Sequence, residues 1–330
     1  MRKPKLQNRI GRSVATLPVA TLLTLGLWWW PQGSYSLDYG VSLLLTALTA
    51  YLIIETNNSN LIIRTLSRMP SSVWLLGMGC IGLYHPFHPA VFVAFCLSVS
   101  YYLLFRTYQQ TEPVMDAFHA FLMLGAASMV YPPMAYFYPF FLWYILVFMR
   151  ALTLRVFFSA LVGFLAPYWL WGGVLFWQMD AAPLFQWAEG LTSHFCSPKV
   201  IVTDLCAEGL SSECIVFALL SLLALWTGIS YLTHSYDDKI RTRMILYIYA
   251  FQTALIVVYA LCSAEWVMSI PLLMLSATPL IAHYFTLIQT WTSLFIFVVA
   301  LLLFALFGVL TLSPYGQDVI NFVNPALHIG

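Results

Sequence analysis

The chain has 330 residues, 61% of them hydrophobic and only 8% charged, with a formal net charge of +1. Soluble domains carry about 25% charged residues, so a water-soluble fold of this length could not solvate its surface. The near-neutral balance also excludes an extended nucleic-acid-binding face. Lipid is therefore the expected solvent, and membrane lipid the first expected partner.

A membrane-spanning helix needs about 20 mostly apolar residues. Eleven segments approach this, predicting an all-α polytopic transmembrane helical bundle of about eleven helices: 14–30, 39–54, 72–84, 90–105, 116–130, 134–149, 156–177, 214–232, 244–263, 266–281 and 291–312. Segments 72–84 and 266–281 are the least clear. The count becomes even if either re-enters instead of crossing. The basic start, residues 1–12, precedes an apolar run that ends in Trp28-Trp29-Trp30-Pro31 without a small-x-small cleavage site. It reads as a retained anchor, not a leader.

Positive charge sorts the connections. Arg2, Lys3, Lys5, Arg9 and Arg12, then Arg64 and Arg68, Arg106, Arg150 and Arg155, and Lys239, Arg241 and Arg243 fall at every second connection. The alternate ones hold only Lys199, so thirteen of the fourteen cations share one side. By the positive-inside rule that side is cytoplasmic, which puts the N-terminus in and the C-terminus out. Trp28, Trp29, Trp30, Trp177, Trp187 and Trp266 then lie near the outer boundary, as an aromatic belt. No linker or low-complexity stretch divides the chain, so one integral membrane domain over 1–330 is expected, with a single long outer connection, 178–213. Trp187 and Phe195 predict that this connection lies on the membrane. It also holds Cys196 and Cys206, which with Cys214 leave room for one disulfide.

Two successive hairpins echo one another, with Tyr84-His85-Pro86 and Tyr131-Pro132-Pro133 at their outer turns and Arg106 and Arg150 at their inner ends. Prolines suit tight turns and Arg suits inner boundaries, with or without a true repeat. Pro139, Pro167, Pro271 and Pro279 fall inside predicted helices, where each frees a carbonyl. Gly163, Gly172 and Gly173 flank Pro167. Broken helices of this kind bind ions or substrates in transporters, and they equally make plain kinks.

Leu66-Ser67-Arg68-Met69-Pro70, His85-Pro86-Phe87-His88-Pro89, Asp116-Ala117-Phe118, Tyr131-Pro132-Pro133 and Gly163-Phe164-Leu165-Ala166-Pro167-Tyr168 together resemble a family of polytopic inner-membrane proteins from Bacteroidetes. Some of its members carry a carotene monooxygenase label. The resemblance implies a bacterial envelope location and no particular chemistry. The labelled enzyme class is a propeller with a four-His iron site, and this chain has neither the strands nor suitably placed histidines.

Candidate functional residues lie on both faces. Outside, Asp38 stands in the first loop, where glycosyltransferases that use polyprenyl-phosphate sugars often place a base; a carboxylate there could deprotonate an acceptor hydroxyl. It could equally cap the helix beginning at Tyr39. His85 and His88, with Lys199 and His194, could hold the phosphate of such a donor. They make a thin set for a pyrophosphate, which usually meets Arg forks. The two histidines could instead simply anchor their turn, and a metal would need further ligands. Inside, Asp116 and His119 share one helix face at i,i+3, although Asp116 also suits the positive end of its helix. No nucleotide-binding loop, metal motif or cofactor signature occurs, and no cofactor is expected. Three readings compete: outer-face glycosyl transfer from a polyprenyl-monophosphate sugar, a transporter or flippase built on the kinked helices, and a non-catalytic subunit of an envelope assembly.

Overall fold

The computed structural model describes residues 6–29, 36–64, 67–179, 182–196, 212–263 and 265–312. These are almost entirely helical, with no strand among them, and the protein is a multi-pass helical membrane protein. The helices are α1 (Leu6–Arg12), α2 (Thr16–Trp28), α3 (Leu37–Asn60), α4 (Met69–Cys80), α5 (Pro89–Arg106), α6 (Val114–Val130), α7 (Phe137–Trp143), α8 (Leu154–Gln178), α9 (Ala182–Cys196), α10 (Ser212–His234), α11 (Ile240–Ser263), α12 (Trp266–Leu287) and α13 (Trp291–Leu312). Each of the eleven predicted segments coincides with helix. Eight stretches are long and apolar enough to cross a membrane, and a ninth arises if α1 and α2, bent by 91° at their junction, count as one span. The helix α6 is slightly short at 17 residues. At 12 residues, α4 rises only about 18 Å, against a hydrocarbon core of about 30 Å.

The chain forms two compact units, Met1–Val91 with Val200–Gly330, and Phe92–Lys199. In the first, α12 is the axis. A helix that is apolar all round belongs in a core, and Ser269 through Thr286 are buried without interruption. Helices α1, α4, α10 and α11 pack around it. Pro271 and Pro279 do not break it. Pro271 deprives the Val267 carbonyl of its helical donor, and the Tyr84 hydroxyl supplies one instead, at 2.6 Å.

Side-chain hydrogen bonds fix the two ends of this unit. At one end Asn57 Nδ2 donates to the Ser67 carbonyl, so α4 starts where α3 stops. At the other, Ser42 Oγ donates to the Tyr84 carbonyl at 2.6 Å. Although α4 is short, the 3₁₀ turn Gly82–Tyr84 completes the return to the start of α3. The helix α1 closes the Arg64 end. Asn8 Nδ2 donates to Thr286 O at 2.8 Å, and Gln7 Nε2 donates to Ile288 O at 3.2 Å and to Ser293 Oγ at 2.7 Å. These bonds cap the last carbonyls of α12, which have no helical partner. They explain two fully buried amides in a stretch whose sequence shows only a basic start to the first anchoring span.

In the second unit α6 and α8 meet backbone to backbone. A Cβ on Gly163 would sit 2.3 Å from the Phe118 carbonyl oxygen, and one on Gly125 would sit 2.4 Å from that of Phe164. Here α8 runs unbroken through Pro167, so the unwinding considered for this helix is not present. The span Pro132–Met149 is composite: a 3₁₀ turn, α7, and a π-helical turn Tyr144–Met149. It closes at Arg150 in the left-handed conformation, φ 53°. The echoed hairpin turns share a local form. Ile81 and Tyr131 are both extended, with ψ of 92° and 94°, and each leads into a 3₁₀ turn. Tyrosine nevertheless occupies different places in the two. Part of the long connection is helix α9, tied to the Tyr131 end by Trp187 Nε1 donating to Ser128 O at 2.8 Å and by Tyr136 donating to Leu191 O.

Candidate functional site

Of the candidates expected outside, Asp38, His85 and His88 lie at the Tyr84 end of the first unit without forming an open site. Asp38 is exposed in the first turn of α3, and Ser36 Oγ donates to it at 3.3 Å. At the next residue, the Tyr39 carbonyl accepts from Trp28 Nε1 at 3.3 Å, and the Trp28 ring stacks on His85 at 4.2 Å. Trp28 is therefore buried, unlike the exposed Trp29 and Trp177, and does not belong to an interfacial belt. His85 is wholly buried, and its Nε2 donates to the Gly79 carbonyl at 3.0 Å. Burial outweighs that bond and lowers its pKa to about 4, so the ring is neutral and sealed against the bundle. His88 is half-buried; its Nδ1 accepts from Ala90 N at 3.2 Å at the start of α5, and burial lowers its pKa too. Both rings anchor the turn. Lys199 lies outside the described residues, as do Cys206 and the side chains of His194 and Cys196.

In the second unit Asp116 faces Arg106 at 3.7 Å, while His119 Nδ1 donates back to the Met115 carbonyl at 2.8 Å. The two share a helix and make separate contacts. Arg155 pairs with Glu112 at 2.9 Å at the same end.

The best-formed polar site is at the Arg64 end of the first unit. Asp238, in the connection between α10 and α11, has a nearly fully buried carboxylate. Arg64 Nε donates to one of its oxygens at 2.7 Å, and His283 Nε2 donates to the other at 3.0 Å. Burial alone would raise the Asp238 pKa, but the hydrogen bonds and charge from His283 and Arg64 outweigh it and hold the carboxyl below its ordinary value of 3.8. A buried carboxylate is tolerable only when paired in this way. Tyr231 meets the His283 ring edge-on at 4.9 Å.

The triad opens onto a cavity of about 250 Å³ whose wall includes Arg64, Ser230, Tyr231, His234, His283 and Tyr284. Because Nε2 is committed to Asp238, Nδ1 is the ring nitrogen of His283 that Asp238 does not engage. The side chain of Arg64 is half exposed, and its terminal nitrogens have no protein partner among the described residues. The site thus joins a carboxylate-oriented imidazole to an open guanidinium fork. Among the described residues no group of three His, Cys, Asp or Glu side chains is placed to hold a metal.

Sequence reasoning missed this triad because the predicted segment stopped at residue 281, whereas α12 continues to Leu287. Within the full helix His283 is the sole His, Asp, Glu, Lys or Arg. An ionisable residue in an apolar span is the usual signature of a functional position. Its partners come from two connections remote in sequence. No family model, curated protein or solved structure matches the chain.

Proposed function

We propose that this protein is a group-transfer enzyme of the bacterial inner membrane, acting at its Arg64 end on an anionic, membrane-soluble substrate. The observation that carries the reading is the Asp238–His283 pair beside Arg64 in one cavity. The pair supplies a general base: Asp238 orients His283, which takes the proton of an attacking hydroxyl as that oxygen bonds to the transferred group and the bond from this group to the anionic donor breaks, releasing the anion against Arg64. Arg64 binds the anionic group and offsets charge that develops on it. By the positive-inside rule this end, with Arg68, Lys239, Arg241 and Arg243 near it, faces the cytoplasm. The reading keeps the group-transfer class expected from sequence but moves the base from Asp38 to His283. It also moves the anion contact from His85, His88 and Lys199 to Arg64.

The test is genetic and chemical. In a host lacking the gene, membrane extracts are profiled by mass spectrometry for accumulated lipid-linked species. His283→Gln and Asp238→Asn should reproduce the profile of the null strain, whereas Asp38→Asn should restore the wild-type profile. A null profile from Asp38→Asn with normal profiles from the other two would return the chemistry to the opposite end.

A further inference from the structure

An apolar groove of about 320 Å³ runs along the first unit between α10 and α13. Its walls include Leu219, Leu222 and Trp226 on one side and Phe295, Ala300 and Phe304 on the other. Its floor follows from the packing: α10 lies along α12, and α13 lies against α4, where a Cβ on Gly308 would meet Cys80 at 3.3 Å. The groove and the polar cavity are consecutive on the same helix, since the cavity wall takes over at Thr227 and Ser230 where the groove ends at Trp226. One hydrogen bond marks the junction, Trp226 Nε1 donating to Tyr284 Oη at 3.2 Å. Trp226 lines the groove and Tyr284 lines the cavity.

We infer that the two form one binding site for a polyprenyl monophosphate, with its chain in the groove and its phosphate in the cavity against Arg64 and His283. This rests on the group-transfer reading and names the lipid anion of that step: the transferred group is carried on the phosphate, and the polyprenyl monophosphate is what leaves. Three features select this ligand. The groove lies between two helices and takes one chain, so a two-chain phospholipid would leave its second chain outside. Four aromatic side chains, Trp226, Phe295, Phe304 and Phe307, line it and present flat faces to flat isoprene units. At the head, one guanidinium fork beside the His283 ring suits a single phosphate. A pyrophosphate would bring more charge than this site offsets.

The test uses the full chain in detergent, with polyprenyl monophosphate, phosphatidylglycerol and inorganic phosphate as separate probes. Lipid binding is read by native mass spectrometry, and phosphate binding by the ¹⁵N shift of the His283 ring. Wild type should bind the polyprenyl phosphate at least about tenfold more tightly than phosphatidylglycerol. Ala300→Trp, which fills the groove on a lipid-facing helix, should abolish polyprenyl phosphate binding and leave the phosphate response of His283 intact. Arg64→Gln combined with Asp238→Asn leaves no uncompensated buried carboxylate and should lose both responses, with thermal unfolding checked against wild type. Equal binding of the two lipids, or unaltered polyprenyl binding in Ala300→Trp, overturns the inference while the polar site stands. A His283 ring indifferent to phosphate in wild type overturns the group-transfer reading itself.

Discussion

The Tyr84 hydroxyl donates at 2.6 Å to the carbonyl of Val267, which Pro271, four residues on, leaves without a helical hydrogen bond. A proline in the most buried helix of the unit is thereby compensated by a residue far away in the chain. Removing the hydroxyl leaves a buried carbonyl unsatisfied, at about 1–3 kcal/mol. Tyr84→Phe should therefore lower stability by that amount. In a Pro271→Ala background, where the backbone N–H returns, the same change should cost less. Equal losses in both backgrounds, in thermal or denaturant unfolding, would break the link between these two residues.

The glycines of α8 separate into two kinds. Gly163 touches the Phe118 backbone, while Gly172 and Gly173 have open space around them. Gly163→Ala should weaken the second unit by about 1–3 kcal/mol, the usual penalty of overpacking. Gly172→Ala and Gly173→Ala should be neutral or slightly stabilising, because alanine favours helix by about 1 kcal/mol. Unfolding temperatures of the three variants settle the contrast, and an unaffected Gly163→Ala would contradict the close α6–α8 approach.

His85 makes the first unit acid-sensitive. Its pKa falls from 6.5 to about 4 on folding, so below 6.5 the unfolded chain takes up a proton that the folded chain refuses. The stability tied to the neutral ring is present above that pH and is lost progressively between 6.5 and 4. A shift of this size corresponds to about 3 kcal/mol. His85→Phe keeps a ring against Trp28 but cannot titrate. Its stability should vary less with pH over that window than wild type does, whatever its absolute value. An unchanged slope would remove His85 as the cause.

Reporter fusions test the orientation. Insertions at Ser59, Thr111 and Ser235 should report the cytoplasm, and insertions near His88 and Gly190 the opposite side. The reverse pattern would place the Arg64 cavity on the outer face.

The spans and the sorting of their ends were legible because they depend on summed properties, namely apolar length and the placement of Lys and Arg. In the structure Arg64, Arg241 and α1 do meet at one end of the first unit, where Arg241 Nη2 donates to Asn60 at 2.6 Å. Arg106 and Arg155 likewise share one end of the second. What could not be read was which polar residues are enclosed. His85 and His88 stand in a conspicuous motif, yet the Trp28 ring and the Ala90 amide occupy them. Asp238 looks like part of an ordinary charged connection until Arg64 and His283 are brought to it. Buried Gln7 and Asn8 acquire their meaning only from the end of α12, nearly the whole chain away. Enclosure depends on contacts distant in sequence, and no local pattern records them.

The central claim, that the Arg64 end holds a lipid-borne anion, is tested most directly by an electron cryomicroscopy map of the protein extracted with its native membrane lipid. Head-group density is expected between Arg64 and His283, continuous past Trp226 with a single chain lying against Phe304 and Phe307. A cavity closed by its own side chains, with α10 and α13 in contact along the groove, would contradict it.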